Sequence, residues 1–195
     1  MGRHSSIERK TKETYVRAAL DLDGDIETLV RTGIPFMDHM LNLMAVHGLM
    51  GVTIHAEGDL EVDYHHTLED VGICLGQVFK GALGDCKGIR RFGQALVPMD
   101  EALALVAVDV SNRPYLTYNV SFVQEVSPDF DVQGVKEFLR AFCQYAGFTL
   151  HINLLYGENT HHILEAVFKA LGRALCDAVT LDPRVKGLPT TKGIL

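Results

Sequence analysis

The chain is predicted to fold as an α+β protein built from two related halves, and three observations carry that expectation. Segments of alternating apolar residues take turns with segments of helical periodicity along all 195 residues. Placing residues 65–84 over 161–180 gives eight identities in twenty positions at a constant offset of 96. The same offset superposes Thr53-Ile54-His55 on Thr149-Leu150-His151, so the match runs back into the preceding strand. The halves, about 1–93 and 94–195, read as one domain because no linker long enough to part them lies between.

Residues 15–22 (YVRAALDL) alternate as a strand with Asp23-Gly24 as its turn, and a strand from about 26 to 31 is expected to complete a hairpin. Gly33-Ile34-Pro35 breaks the chain, and 36–48 then reads as a helix closed by a glycine C-cap. Residues 52–56 read as a strand. After Gly58-Asp59, apolar residues recur at helical spacing from 67 to about 83, with Gly84 as the stop. In the second half, 102–110 (ALALVAVDV) and 115–122 (YLTYNVSF) read as an antiparallel pair around Ser111-Asn112-Arg113-Pro114. A helix over 132–145, a strand over 148–155 and a helix over 161–179 follow, and 181–195 reads as a loop rich in Pro, Gly, Lys and Thr. The order strand, strand, helix, strand, helix thus occurs twice.

A hydrophobic fraction of 47% against 22% charged residues provides enough apolar surface to offset chain entropy, which excludes disorder driven by charge. The net charge of −7 argues against a broad surface that tracks nucleic-acid phosphates, while a small basic pocket for one phosphate is compatible with it. Residues 1–11 hold no apolar signal-peptide core and no apolar run approaches bilayer length, so a cytoplasmic protein with no membrane partner is expected. Cys74, Cys86, Cys143 and Cys176 form no C-x-x-C pair and read as buried free thiols.

Nine histidines are present, and their positions matter more than their number. His65-His66-x-x-Glu69 and His161-His162-x-x-Glu165 each put two imidazoles and a carboxylate at the start of a predicted helix. The i and i+4 positions share a helix face, which brings His65 over Glu69 and His161 over Glu165. Adjacent histidines diverge by about 100°, so each pair is expected to serve two different metal ions. The preceding helix adds His39 and His47, and with a two-residue gap the repeat sets Glu137 opposite His39. His39, His65, His66, Glu69, Glu137, His161, His162 and Glu165 can supply a nitrogen and oxygen shell. With no thiolate at ligand spacing, Mn²⁺ is favoured over structural Zn²⁺, and Fe²⁺, Co²⁺ and Ni²⁺ stay open. A single histidine at a helix start more often bonds backbone, but eight candidate ligands recurring in two halves reverse that weighting. His55 and His151 match each other on strands, where packing or support of a ligand competes with ligation.

The motifs Gly33-Ile34-Pro35-Phe36-Met37-Asp38-His39-Met40-Leu41, Asp63-Tyr64-His65-His66-Thr67-Leu68-Glu69-Asp70, Met99-Asp100-Glu101-Ala102-Leu103, Asn159-Thr160-His161-His162 and Pro189-Thr190-Thr191-Lys192-Gly193 resemble imidazoleglycerol-phosphate dehydratase of histidine biosynthesis. The resemblance covers nearly the whole chain. It implies a duplicated αβ unit with four-stranded, mostly antiparallel sheets packed on helices, of the ribosomal protein S5 domain 2-like kind. It also implies a hydro-lyase that converts D-erythro-imidazole-glycerol phosphate to imidazole-acetol phosphate, with two Mn²⁺ per active site shared between subunits of a 24-subunit homo-oligomer. Carried over, the metal ligands fall on His39, His65, His66, Glu69, His161, His162 and Glu165, and on Glu137, where relatives often carry His. Substrate contacts fall on Glu13, His39, His47, Arg91, Arg113, Lys169 and the Thr190, Thr191, Lys192 loop, and Glu13 becomes the acid/base.

The residue types suit that chemistry. Arg offers a fork and Lys a point charge to phosphate oxygens, and Lys169 lies about 12 Å along the helix from His161. Dehydration must take a proton from a poorly acidic carbon and expel the neighbouring hydroxyl, so a carboxylate has to move protons. On its own, Glu13 reads as a surface residue ahead of the first strand. Two other classes compete: a di-metal phosphoesterase, which would ordinarily carry more Asp ligands, and a non-catalytic metal-binding protein, which would leave Arg91, Arg113 and Lys192 without a purpose.

Overall fold

The computed structural model describes residues 2–24, 27–122 and 130–193. The expected strand start at Ile26 and the last two residues of the expected tail lie outside them. The first half runs β1 (His4–Lys10), β2 (Thr14–Asp21), β3 (Leu29–Arg31), α1 (Pro35–Gly48), β4 (Gly51–Gly58) and α2 (His65–Leu83). The second repeats that order as β5 (Phe92–Met99), β6 (Ala102–Val110), β7 (Tyr115–Asn119), α3 (Gln133–Ala146), β8 (Phe148–Tyr156) and α4 (Thr160–Val179). Each half is a four-stranded sheet, with orders β1-β2-β4-β3 and β5-β6-β8-β7, so the duplicated α+β architecture holds. Each sheet has two antiparallel pairs and one short parallel pair.

Three pairings differ from the sequence expectation. β3 does not form a hairpin with β2. It lies parallel to β4, because β2 already has β1 on one side and β4 on the other. For the same reason β7 is not the antiparallel partner of β6 but runs parallel to β8. The strands that take those places, β1 and β5, had no counterpart in the periodicity.

The first helix also ends differently. Gly48 remains helical, and Leu49 takes the left-handed position with φ 52°, its N–H reaching back to the Ala45 and Val46 carbonyls. Gly48 serves packing instead: a Cβ there would come within 3.2 Å of the Gly172 carbonyl on α4. Cys74 and Cys143 are buried, whereas Cys86 and Cys176 are only half-buried, and all four are free thiols.

The helices pair across the halves. α2 packs on β1 and β2, α4 packs on β5 and β6, and in between α1 lies against α4 and α2 against α3. Apolar side chains from both halves, including Met37, Met44, Phe79, Phe138 and Phe168, fill the space between them. Both helices of a pair run in the same direction, since His39 meets Glu165 near their starts and Gly48 meets Gly172 further along. The initial turns of helices from different halves therefore lie side by side. Among the described residues no helix is long and apolar enough to cross a membrane.

Candidate functional site

The start of α4 is held by local chemistry. Asn159 caps it, its side-chain oxygen accepting from the His161 and His162 N–H groups at 2.9 and 3.2 Å. Asp63, 96 residues earlier, accepts from the His65 N–H at 2.7 Å. These bonds fix the backbone from which each histidine pair projects.

His161 Nε2 lies 3.0 Å from Glu165 Oε1, one turn further on, and His39 Nε2 from α1 approaches the same oxygen at 3.1 Å. The three ligand atoms fall within 4.8 Å of one another, the only such grouping among the described residues. Lys169 Nζ holds the other oxygen, Glu165 Oε2, at 2.7 Å. Burial pushes the Glu165 carboxyl up, yet the hydrogen bonds from Lys169, His39 and His161 outweigh it and hold the group at about 2. The His161 and Phe36 rings pack nearly perpendicular to each other, with centroids 5.3 Å apart.

The related cluster on α2 and α3 is looser. His65 Nε2 is 4.0 Å from Glu69 Oε2. Glu137 is the fifth residue of α3, as His39 is of α1, which matches the sequence alignment of the two positions. Arg140 Nη2 stands 2.6 Å from Glu137 Oε2 and 4.0 Å from Glu69 Oε1. The contact with Glu137 is close enough for an ion pair but not aligned as a hydrogen bond, so this buried oxygen has no hydrogen-bond donor.

The second histidine of each pair turns elsewhere. His66 Nδ1 bonds Asp59 Oδ2 at 3.0 Å, and His162 Nδ1 bonds Glu101 Oε2 at 2.7 Å. Asp59 raises the pKa of His66 against the effect of burial, with Glu13 adding a further negative charge nearby. Glu101 likewise raises His162, and that same bond, with help from backbone N–H groups at Glu158 and Asn159, holds Glu101 at about 2. In both rings Nδ1 is occupied by a carboxylate, the arrangement that orients a metal-binding imidazole through its other nitrogen.

Arg91, Arg113, Thr190, Thr191 and Lys192 line one open depression of about 550 Å³ with Pro189. Arg91 has left-handed backbone, φ 74°, and its guanidinium is tied to Asp109 at 2.7 and 3.2 Å and to the Pro189 carbonyl at 2.9 Å. Arg113 is more exposed, 3.5 Å from the same Asp109, and Lys192 has no ion pair among the described residues. His47 lies apart from this group, in a depression with Arg90 and Arg173, and burial, Lys169 and Arg173 lower its pKa. Glu13 is exposed at the turn before β2, its N–H bonded to Thr11 Oγ1. His55 and His151 are exposed on the outward faces of β4 and β8, where His55 Nε2 lies 3.1 Å from Glu57 Oε1 and the His151 ring packs beside Tyr115 with centroids 6.3 Å apart.

Among the described residues no hydrogen bond or ion pair joins the cation depression to the Glu165 cluster. The Arg91 N–H bonds the Ala178 carbonyl near the far end of α4, about 20 Å along that helix from Glu165, so one chain holds these candidate groups in separate places. Sequence reasoning missed Asp59, Glu101 and Asp109. Of these only Glu101 stood inside one of the quoted motifs, and nothing local marked its distant histidine.

The family model of imidazoleglycerol-phosphate dehydratase matches residues 32–175, which include both histidine clusters. The chain belongs to that family. A dehydratase of this name from Pelobacter propionicus is 55% identical over 195 residues, covering 100% of both chains, and one from Moorella thermoacetica is 56% identical over the same span. The crystal structure of the dehydratase from Staphylococcus aureus superposes with a TM-score of 0.83 at 39% identity, covering 92% of this chain and 99% of that one. That from Pyrococcus furiosus, in complex with (S)-C348, gives 0.81 at 39% identity, covering 97% and 100%. Membership makes the chain a dehydratase-family enzyme, a hydro-lyase. The two helix pairs of this dehydratase-family chain bring one half's α1 or α3 to the other half's HH-x-x-E helix.

Proposed function

We propose that the chain removes water from D-erythro-imidazole-glycerol phosphate to give imidazole-acetol phosphate, a cytoplasmic step of histidine biosynthesis, with two Mn²⁺ ions per site. The observation that carries the metal part is the approach of His39 and His161, from different halves, to one Glu165 oxygen at 3.1 and 3.0 Å. Two imidazoles and a carboxylate are a fitting donor set for a first-row divalent ion, and the buried Glu137 oxygen, which has the Arg140 charge beside it but no hydrogen-bond donor, is open to a metal bond. His39, His161 and Glu165 would hold one ion, with His65, Glu69 and Glu137 offered to the other. His66 and His162, each held through Nδ1 by a carboxylate, keep Nε2 to complete either set. When bound, such ions supply Lewis acidity to the substrate's imidazole and fix its orientation.

The chain's own residues do the rest. Arg113 and Lys192 anchor the phosphate beside Arg91, whose guanidinium is already committed to Asp109. Lys169 keeps Glu165 ionised. Glu13 carries the proton between carbon and leaving hydroxyl, and its charge is felt at His66. Because the groups of one chain lie apart, a homo-oligomer, a 24-subunit shell, brings them together. An assay that follows ketone formation and inorganic phosphate in parallel tests the reading: product without free phosphate supports dehydration, and phosphate release would replace it with a phosphoesterase.

A further inference from the structure

The backbone duplication presents two equivalent helix pairs, but the charges on them are not equivalent. On the α1 and α4 pair, one carboxylate stands among two imidazoles, and Lys169 occupies only its far oxygen. That lysine side chain is 16% exposed and has little room to leave. On the α2 and α3 pair there are two carboxylates, Glu69 and Glu137. A single nitrogen, Arg140 Nη2, lies between them at 4.0 and 2.6 Å. The Arg140 side chain is 63% exposed.

The position equivalent to Arg140 on α1 is Asn42, whose amide is used on the Asp38 carbonyl at 2.7 Å. The position equivalent to Lys169 on α2 is Ile73, which carries no charge. Each pair therefore has its own cation from a different helix, and only Arg140 stands between carboxylates that a dication would have to bridge. The poor alignment with Glu137 makes this a charge contact and not a committed hydrogen bond.

We propose that Arg140 is a displaceable counter-ion that sets the divalent-cation affinity of the Glu69 and Glu137 position, leaving the Glu165 position unaffected. The inference rests on the metal reading given above. In the ion-free chain Arg140 offsets the repulsion of the two carboxylates, and on ion binding its long exposed side chain swings into solvent. Exchange of one cation for another makes that position the weaker and more salt-sensitive of the two.

The test is calorimetric titration of the chelator-stripped, full-length protein with MnCl₂, for wild type, Arg140→Gln, Arg140→Lys, Glu137→Gln and the Glu137→Gln/Arg140→Gln pair, with thermal melts to check folding. The expected result is two binding events in wild type, of which Arg140→Gln tightens one by about fivefold at low salt, the upper range for an exposed ion pair. Arg140→Lys should resemble wild type, and Arg140→Gln should have no further effect once Glu137 is Gln. If Arg140→Gln leaves both events unchanged, or shifts both equally, the inference is overturned while the metal reading stands. If wild type takes up no Mn²⁺ at all, the metal reading fails and the inference with it.

Discussion

Gly76 and Gly172 occupy the same place in the two halves, and each is where its helix touches backbone of the other half. A Cβ on Gly172 would lie 2.3 Å from the Met44 carbonyl and 2.9 Å from the Gly48 nitrogen, and one on Gly76 would lie 2.7 Å from the Phe142 carbonyl and 2.8 Å from the Ala146 nitrogen. The Leu-Gly identity in the repeat is thus a packing requirement that sets how near His39 comes to Glu165. Gly172→Ala should destabilise the protein by about 1–3 kcal/mol, the usual range for overpacking, even though alanine favours helix. Denaturant unfolding of Gly172→Ala and Gly76→Ala checks this, and an unchanged midpoint in both would show that the helices have slack.

The His162 and Glu101 pair predicts a pH signature. Glu101 is held at about 2, so its contribution is present above its ordinary 4.5 and lost as pH falls toward 2. His162 is raised above 6.5, so its contribution is complete below 6.5 and lost as pH rises through the raised value. The pair supports the α4 start most between those ordinary values. In ion-free protein, NMR titration should find His162 and His66 protonating above 6.5 and His47 below it, with Glu101→Gln returning His162 toward 6.5. Since metal binds the neutral ring, activity should fall below roughly pH 6 as protons compete.

Removing the phosphate cations should separate binding from metal content. Arg113→Ala or Lys192→Ala should raise KM and lower kcat, because remote phosphate binding helps position the reacting carbons. Metal analysis should give wild-type stoichiometry. An unchanged kcat/KM in both variants would move the phosphate away from this depression.

What the sequence made legible was local. The HH-x-x-E spacing and the helices that bear it depend on neighbours within a turn. β1 was not legible because HSSIERK contributes a single apolar side chain, Ile7, and its strand state comes from pairing with β2. β5 was hidden by Gly93 and Pro98. The glycine is needed because the Ala174 carbonyl of α4 would meet a Cβ there at 1.9 Å. The turn chemistry of Ser111-Asn112-Arg113-Pro114 points to a β6 and β7 hairpin, while the pairing itself is decided by β8, which no local pattern reports. Glu101 and His162 are 61 residues apart, beyond the reach of any spacing rule.

Glu13→Gln keeps size and much of the hydrogen bonding but cannot carry a proton. Turnover should fall by about 10²–10⁴-fold, with much smaller change in directly measured substrate affinity and no loss of metal. Near-normal kcat would return Glu13 to a surface role.

The most direct measurement is an anomalous-scattering map at the manganese edge from crystals of Mn²⁺-loaded protein. The account predicts a peak bound by His39 Nε2, His161 Nε2 and Glu165, with the direct contacts at 3.1 and 3.0 Å replaced by bonds to the ion. A map with no peak there, and both imidazoles still hydrogen-bonded to Glu165, would contradict it.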